Sequence, residues 1–151
     1  MPLPAVPLLV AFASTAACAY YDQFKGMMVP NWLLGATLLL AIIIGYLSGG
    51  ILNIGVGVYA LLFWRWTGLS IGPADGIMLA AIGFLLGWVP VLLVPVFAVM
   101  TFSAYNIARN QKMPLLQALK QKSPFIPHLL AGLGFTTAIM WPVVNAPLMM
   151  P

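Results

Sequence analysis

The sequence predicts an all-α integral membrane protein of about six transmembrane helices with its N-terminus outside. Three observations predict it. Hydrophobic residues make up 63% of the 151 positions and charged residues only 5%, and the mean hydropathy is +1.05. Apolar segments follow one another with little between them. The basic residues fall only in alternate connections. A soluble domain carries roughly 25% charged residues. So few charges cannot coat a water-facing surface, which makes lipid the solvent for most of the chain.

The apolar segments cover residues 4–21, 29–47, 51–63, 75–88, 89–107 and 127–144. A span needs about 20 apolar residues, so six spans use nearly the whole length and residues 1–151 form a single membrane domain. No Lys or Arg precedes Lys25. A signal peptide wants a basic start, so a retained first helix is expected. Pro30 suits the first turn of the second helix, and Ser48-Gly49-Gly50 makes a tight connection. The third segment ends in Trp64-Arg65-Trp66, residues suited to the membrane interface. The fourth carries Gly76, Ala80, Gly83 and Gly87 at spacings of three and four. That pattern lets helix backbones approach closely and predicts a central helix rather than a lipid-facing one. Gly55, Gly57, Gly132 and Gly134 predict close approach elsewhere. Pro90 and Pro95 bend the fifth segment or set its start. In the polar stretch that follows, Leu115, Leu116 and Leu119 alternate with Gln117, Lys120 and Lys122. This predicts a short amphipathic helix on the membrane surface over residues 113–122.

With the N-terminus outside, all six basic residues lie on the cytoplasmic side: Lys25, Arg65, Arg109, Lys112, Lys120 and Lys122. The opposite connections, near residues 48–50 and 88–90, carry none. This is the positive-inside pattern. The net charge of +4 therefore reads as membrane orientation, with the lipid bilayer as partner and no nucleic acid. A single cysteine, Cys18, excludes an internal disulfide and a cysteine-rich zinc site. A lone His128 without cysteines or further acids makes a poor metal site, and no metal is expected. His128 falls near the start of the last span, as an interfacial residue or a helper in substrate binding. There is no Gly-rich phosphate loop and no serine-nucleophile motif.

The chain has two acidic residues. Asp22 ends the first span and Asp75 begins the fourth, which puts both at the cytoplasmic face. Ionisable groups at membrane depth are costly and usually functional. Two carboxylates held close do not both ionise easily, and such a pair holds a shared proton. The ionised partner can take a proton from water. The protonated one can give a proton to a carbonyl oxygen or a leaving amine. Proton-coupled transport uses buried carboxylates as well. Taken singly, Asp22 is also readable as a helix-end residue among the headgroups, and Asp75 as a helix N-cap.

The surroundings of the two aspartates resemble the type IV prepilin peptidase family, membrane aspartic peptidases of the GxGD kind. Asp22 is followed by Val29-Pro30-Asn31-Trp32-Leu33, similar to the family's Asp shortly before an Ile/Val-Pro-Asn turn. Gly72-Pro73-Ala74-Asp75, running into Gly76 and a small-residue helix, resembles the GxGD motif. Pro124-Phe125-Ile126-Pro127 resembles the Pro-Phe-x-Pro stretch before the last helix. The three matches occur in the family's order and cover roughly residues 5–145. Ala74 stands where many bacterial members have Gly and resembles the archaeal Gly-x-Ala-Asp form. Ile77 stands where a Lys is common, and the gap from Asp22 to Val29-Pro30 is one residue longer than usual. The resemblance implies Asp22 and Asp75 as the catalytic pair, with Pro30, Asn31, Gly72, Ala74, Gly76, Pro124 and Pro127 as motif positions. It implies a prepilin or pilin-like precursor as substrate, cut at the cytoplasmic boundary after a small residue, and no cofactor. The region resembling a methyltransferase in larger bacterial members is lacking, so cleavage without N-methylation is expected.

Overall fold

The computed structural model describes residues 5–25, 28–67, 72–109 and 124–145. These form five helices: α1 (Ala5–Phe24), α2 (Asn31–Thr67), α3 (Pro73–Leu86), α4 (Trp88–Arg109) and α5 (Ile126–Asn145). No strand occurs among the described residues.

α2 has 37 residues. A straight helix of that length would run about 55 Å at 1.5 Å per residue, against a hydrocarbon layer of about 30 Å. Gly50 breaks it, with φ 62 and ψ −151. Gly45 and Gly57 both pack on Phe84 of α3, although the intervening stretch of straight helix would hold them about 18 Å apart. α2 is therefore a helical hairpin with its corner at Gly50, and the described residues form six helical segments. The expected connection at residues 48–50 is narrower than predicted. The helix runs through Ser48, whose hydroxyl donates to the Ile44 carbonyl at 2.7 Å, and only Gly50 leaves helical backbone.

The second corner is Gly87, with φ 79, whose N–H donates to the Gly83 carbonyl at 3.0 Å and closes α3. α3 starts at Pro73 rather than at Asp75 as expected, because the fixed φ of proline suits a first helical residue. The second arm of α2 likewise continues to Thr67, beyond the predicted end at residue 63.

α3 is the centre of the bundle, with nine of its fourteen residues buried. Trp64 packs on Gly76, Gly57 on Gly83, and Asn53 on Gly87. Each step along the second arm of α2 is thus a step back along α3, and the two are antiparallel. A Cβ at Gly83 would come 3.2 Å from the Gly57 Cα, so the small residues of α3 do carry close backbone contact. Gly132 of α5 packs on the Val94 carbonyl of α4, as predicted for a small residue. Gly55 and Gly134 correct the expectation for them: a Cβ at either would meet open space. α4 and α5 are antiparallel, with Phe97 beside Phe135 and Phe102 beside Phe125. α1 packs on α5, α2 and α3.

Among the described residues three helices are long and apolar enough to cross a membrane: Ala5–Phe24, Asn31–Arg65 and Trp88–Arg109. Pro73–Leu86 is a shorter apolar helix. Large apolar side chains are exposed around the bundle, Leu47 and Ile51 at 78% and 79% beside the Gly50 corner. An apolar exterior of this extent fits a lipid environment, and the helical architecture of the described residues is compatible with an all-α membrane protein. Lys112, Lys120, Lys122 and the amphipathic segment expected at residues 113–122 lie outside the described residues.

Candidate functional site

The C-terminal ends of α1, α2 and α4 and the N-terminal ends of α3 and α5 meet at one end of the bundle. The antiparallel pairings of α2 with α3 and of α4 with α5 require this, once α1 reaches α5 through Asp22. Both aspartates lie there, and so do the described cations Lys25, Arg65 and Arg109. Asp22 and Asp75 are nearly enclosed, at 7% and 8% exposure. They lie near enough for the charge of Asp22 to act on Asp75. Residues 53 positions apart in sequence thus come to one end of the bundle and into its interior.

Each carboxylate is held at the start of a helix. The Ile126 N–H donates to Asp22 Oδ2 at 3.0 Å, with the Phe125 amide beside it. The first N–H groups of a helix have no partner within it. Phe125 occupies the position before α5 and has no side-chain acceptor, so Asp22 supplies one from α1. Asp75 works within its own helix. It is the third residue of α3, not its N-cap, and the cap position belongs to Gly72. The Gly72 N–H donates to Asp75 Oδ2 at 2.9 Å, as the carboxylate of a capping box does. The positive ends of the α5 and α3 dipoles therefore both face carboxylates.

The other motif positions separate into two groups. Gly72, Ala74 and Gly76 build the seat of Asp75. Ala74 is half-buried beside it, and Gly76 has no room for a Cβ because the Trp64 ring lies against it. Pro124 and Pro127 flank the amide that holds Asp22. Pro127 also borders an open groove of about 280 Å³ between α1 and α5, walled by Ala16, Ala19, Tyr20 and Gln23. Pro30 and Asn31 instead build the start of α2. The Pro30 carbonyl accepts from the Leu33 and Leu34 N–H groups at 3.0 and 3.2 Å, and Asn31 is exposed.

His128 stands in the first turn of α5, within electrostatic reach of Asp22. Cys18, one turn before Asp22 on α1, is fully buried with its sulfur against the Thr37 hydroxyl. Among the described residues no group of three or more His, Cys, Asp or Glu side chains could hold a metal ion.

Sequence reasoning missed three contributors. The amides of Phe125 and Ile126 carry no side-chain signal, although a proline in the first turn marks a helix start whose donors need an acceptor. The Trp64 ring over Gly76 and the Thr37 hydroxyl beside Cys18 are tertiary contacts that no local pattern announces. Chemically, the arrangement offers two enclosed carboxylates, each with one oxygen tied to a backbone amide. Comparison with family models, curated proteins and solved structures gave no match.

Proposed function

We propose that the chain is a membrane aspartic endopeptidase of the prepilin-peptidase kind, cleaving the leader of a pilin-like or archaellin precursor. Asp22 and Asp75 share one proton. The ionised carboxylate draws a proton from water, which attacks the scissile carbonyl. The protonated one donates its proton to the carbonyl oxygen; the carboxyl that took the proton from water gives it to the leaving amine as the C–N bond breaks, and the diol hydroxyl returns a proton to the other carboxylate. The chain crosses the cytoplasmic membrane six times with its N-terminus outside, and the cut falls at the cytoplasmic boundary. One observation carries the reading: the only two acids of the sequence are enclosed together at the end of the bundle where the described cations lie. The six helical segments among the described residues and the one-sided distribution of basic residues in the sequence support the topology. Pro30 and Asn31 shape the turn into α2. Pro124 and Pro127 shape the start of α5.

The test is cleavage of a prepilin by the purified full chain in detergent or in a co-expression host. Asp22→Asn and Asp75→Asn should each reduce the rate by about a hundredfold or more. The wild-type rate should fall on both sides of an optimum pH, as one proton is added to the pair or removed from it. A variant that cuts as well as wild type defeats the mechanism.

One observation favours a second reading. Each carboxylate already serves a helix start, which is all that a non-catalytic membrane assembly partner would need of it. Normal assembly with both Asn variants, and no cleavage by wild type, would favour that reading.

A further inference from the structure

The second arm of α2 turns its two sides to different surroundings. Gly57 and Trp64, about two turns apart, pack on Phe84 and Gly76 of α3. Tyr59, Leu62 and Phe63 are turned away from that contact and are exposed. An open groove of about 600 Å³ lies there, lined by Tyr59, Leu62, Phe63 and Arg65. Its aromatic wall is braced. The Tyr59 ring stacks on Phe63 at 6.0 Å and 21°, and meets Trp88 of α4 at 5.0 Å and 53°. From Tyr59 to Arg65 the helix rises about 9 Å.

Arg65 stands where the apolar run ends. The membrane-length part of α2 stops at Arg65, in the last turn of the helix. Trp64 and Trp66 beside it are residues suited to the membrane interface. The groove thus has aliphatic and aromatic walls at hydrocarbon depth and a guanidinium at headgroup depth. A phospholipid carries its acyl chain and its phosphate in the same order.

The sequence also decides which charge the guanidinium can meet. It holds six cations and two acids, and both acids are enclosed in the bundle. No exposed side-chain anion of this chain is at hand for Arg65, and a second copy would bring none. A cationic peptide segment would be repelled. A phosphodiester supplies the anion, and a guanidinium can bind its oxygens two at a time.

We propose that this groove holds an anionic phospholipid, its phosphate at the Arg65 guanidinium and one acyl chain along Leu62, Phe63 and Tyr59. The assignment goes beyond the peptidase reading and does not rest on it.

Lipid binding to the purified full chain tests it, read by native mass spectrometry from detergent. The chain is titrated with phosphatidylglycerol and with phosphatidylcholine of the same acyl chains. Wild type should bind its first phosphatidylglycerol about fivefold more tightly than its first phosphatidylcholine. Arg65→Gln should abolish that preference. Lys25→Gln, which removes an exposed cation outside the groove, should keep it to within about twofold. Leu62→Trp fills the groove from an exposed position and should weaken the first binding of both lipids by about threefold or more. Equal affinity of wild type for the two lipids overturns the proposal, because any lipid around the bundle would then do. An equal loss in Lys25→Gln and Arg65→Gln overturns it in favour of diffuse surface charge. Unchanged phosphatidylglycerol binding in Leu62→Trp overturns it as well, since the headgroup would then bind without the groove. A dimer that Leu62→Trp abolishes would give the groove to a second copy and overturn it likewise.

Discussion

Asp22 Oδ2 accepts a 3.0 Å hydrogen bond from the Ile126 N–H, a residue 104 positions later in the chain. The bond joins the end of α1 to the start of α5 and gives α5 a cap that its own sequence lacks. A residue can thus be both an anchor and a candidate base: one oxygen holds the amide while the second remains for chemistry. The bond also gives the Pro124-Phe125-Ile126-Pro127 motif a physical meaning. Pro127 has no N–H, so the first turn of α5 presents the Phe125 and Ile126 amides to the carboxylate without a competing donor between Ile126 and His128.

From this follows a separation of stability from activity at Asp22. Asp22→Ala leaves the Ile126 N–H buried without an acceptor, which costs about 1–3 kcal/mol. Asp22→Asn keeps an acceptor and should cost less than about 1 kcal/mol. Thermal unfolding in detergent should rank wild type, Asn and Ala in that order. Cleavage should be lost in both variants. Equal unfolding temperatures for Asn and Ala would mean that the capping bond is not a stabilising contact.

Gly76 offers a second test beside the other carboxylate. A Cβ there runs into the Trp64 ring, in a part of α3 that is buried. Gly76→Ala should destabilise the chain by about 1–3 kcal/mol through overpacking and lower cleavage by displacing the neighbouring Asp75. Trp64→Leu removes the obstructing ring. The double variant Gly76→Ala with Trp64→Leu should therefore be more stable than the sum of the single effects predicts. Additive effects in the double-mutant cycle would show that the two residues do not contact one another.

The sequence made the helical, lipid-facing character legible because that character is written in composition and in runs of apolar residues. The burial of α3 was legible too, since Gly76, Ala80 and Gly83 mark a helix that neighbours approach. The same signal failed at Gly55 and Gly134, which face open space. Small residues report that contact is possible, and only the register of the partner decides whether it occurs. That Asp22 and Asp75 share a depth was legible, because one ends the first segment and the other begins the fourth, which an alternating chain brings to the same side. What held them was not. The Ile126 amide and the Trp64 ring depend on which helices become neighbours, and that depends on long-range packing. Asn31, singled out by resemblance, proved to be an exposed helix-start residue.

The hairpin corner makes a sharper prediction than most glycines allow. A Cβ at Gly50 would meet nothing within contact distance, so any penalty must come from the backbone. Its φ of 62 is paired with ψ of −151, which lies outside the left-handed helical region where asparagine is tolerated and inside one used almost only by glycine. Gly50→Asn should therefore cost as much as Gly50→Ala, about 1–3 kcal/mol each. Denaturant unfolding of both variants checks this. A markedly milder effect for Asn would place the corner in the left-handed helical region instead.

The orientation of the bundle can be read chemically because the chain's own thiol is out of reach. Cys18 is fully buried, so it contributes little background to labelling with a membrane-impermeant maleimide. Lys25 and Arg65 are exposed at the aspartate end, and Ser48 is exposed at the other end, beside the Gly50 corner. Single cysteines introduced as Lys25→Cys, Arg65→Cys and Ser48→Cys should then divide two to one. In intact cells the reagent should label Ser48→Cys from outside, and Lys25→Cys and Arg65→Cys only after the membrane is opened. The reverse pattern would place the carboxylates on the outer face, where a precursor with a cytoplasmic leader never presents its cleavage site. Labelling of Ser48→Cys and Lys25→Cys from the same side would show that α1 and the first arm of α2 do not both cross the membrane, and the six-span arrangement would fail with it.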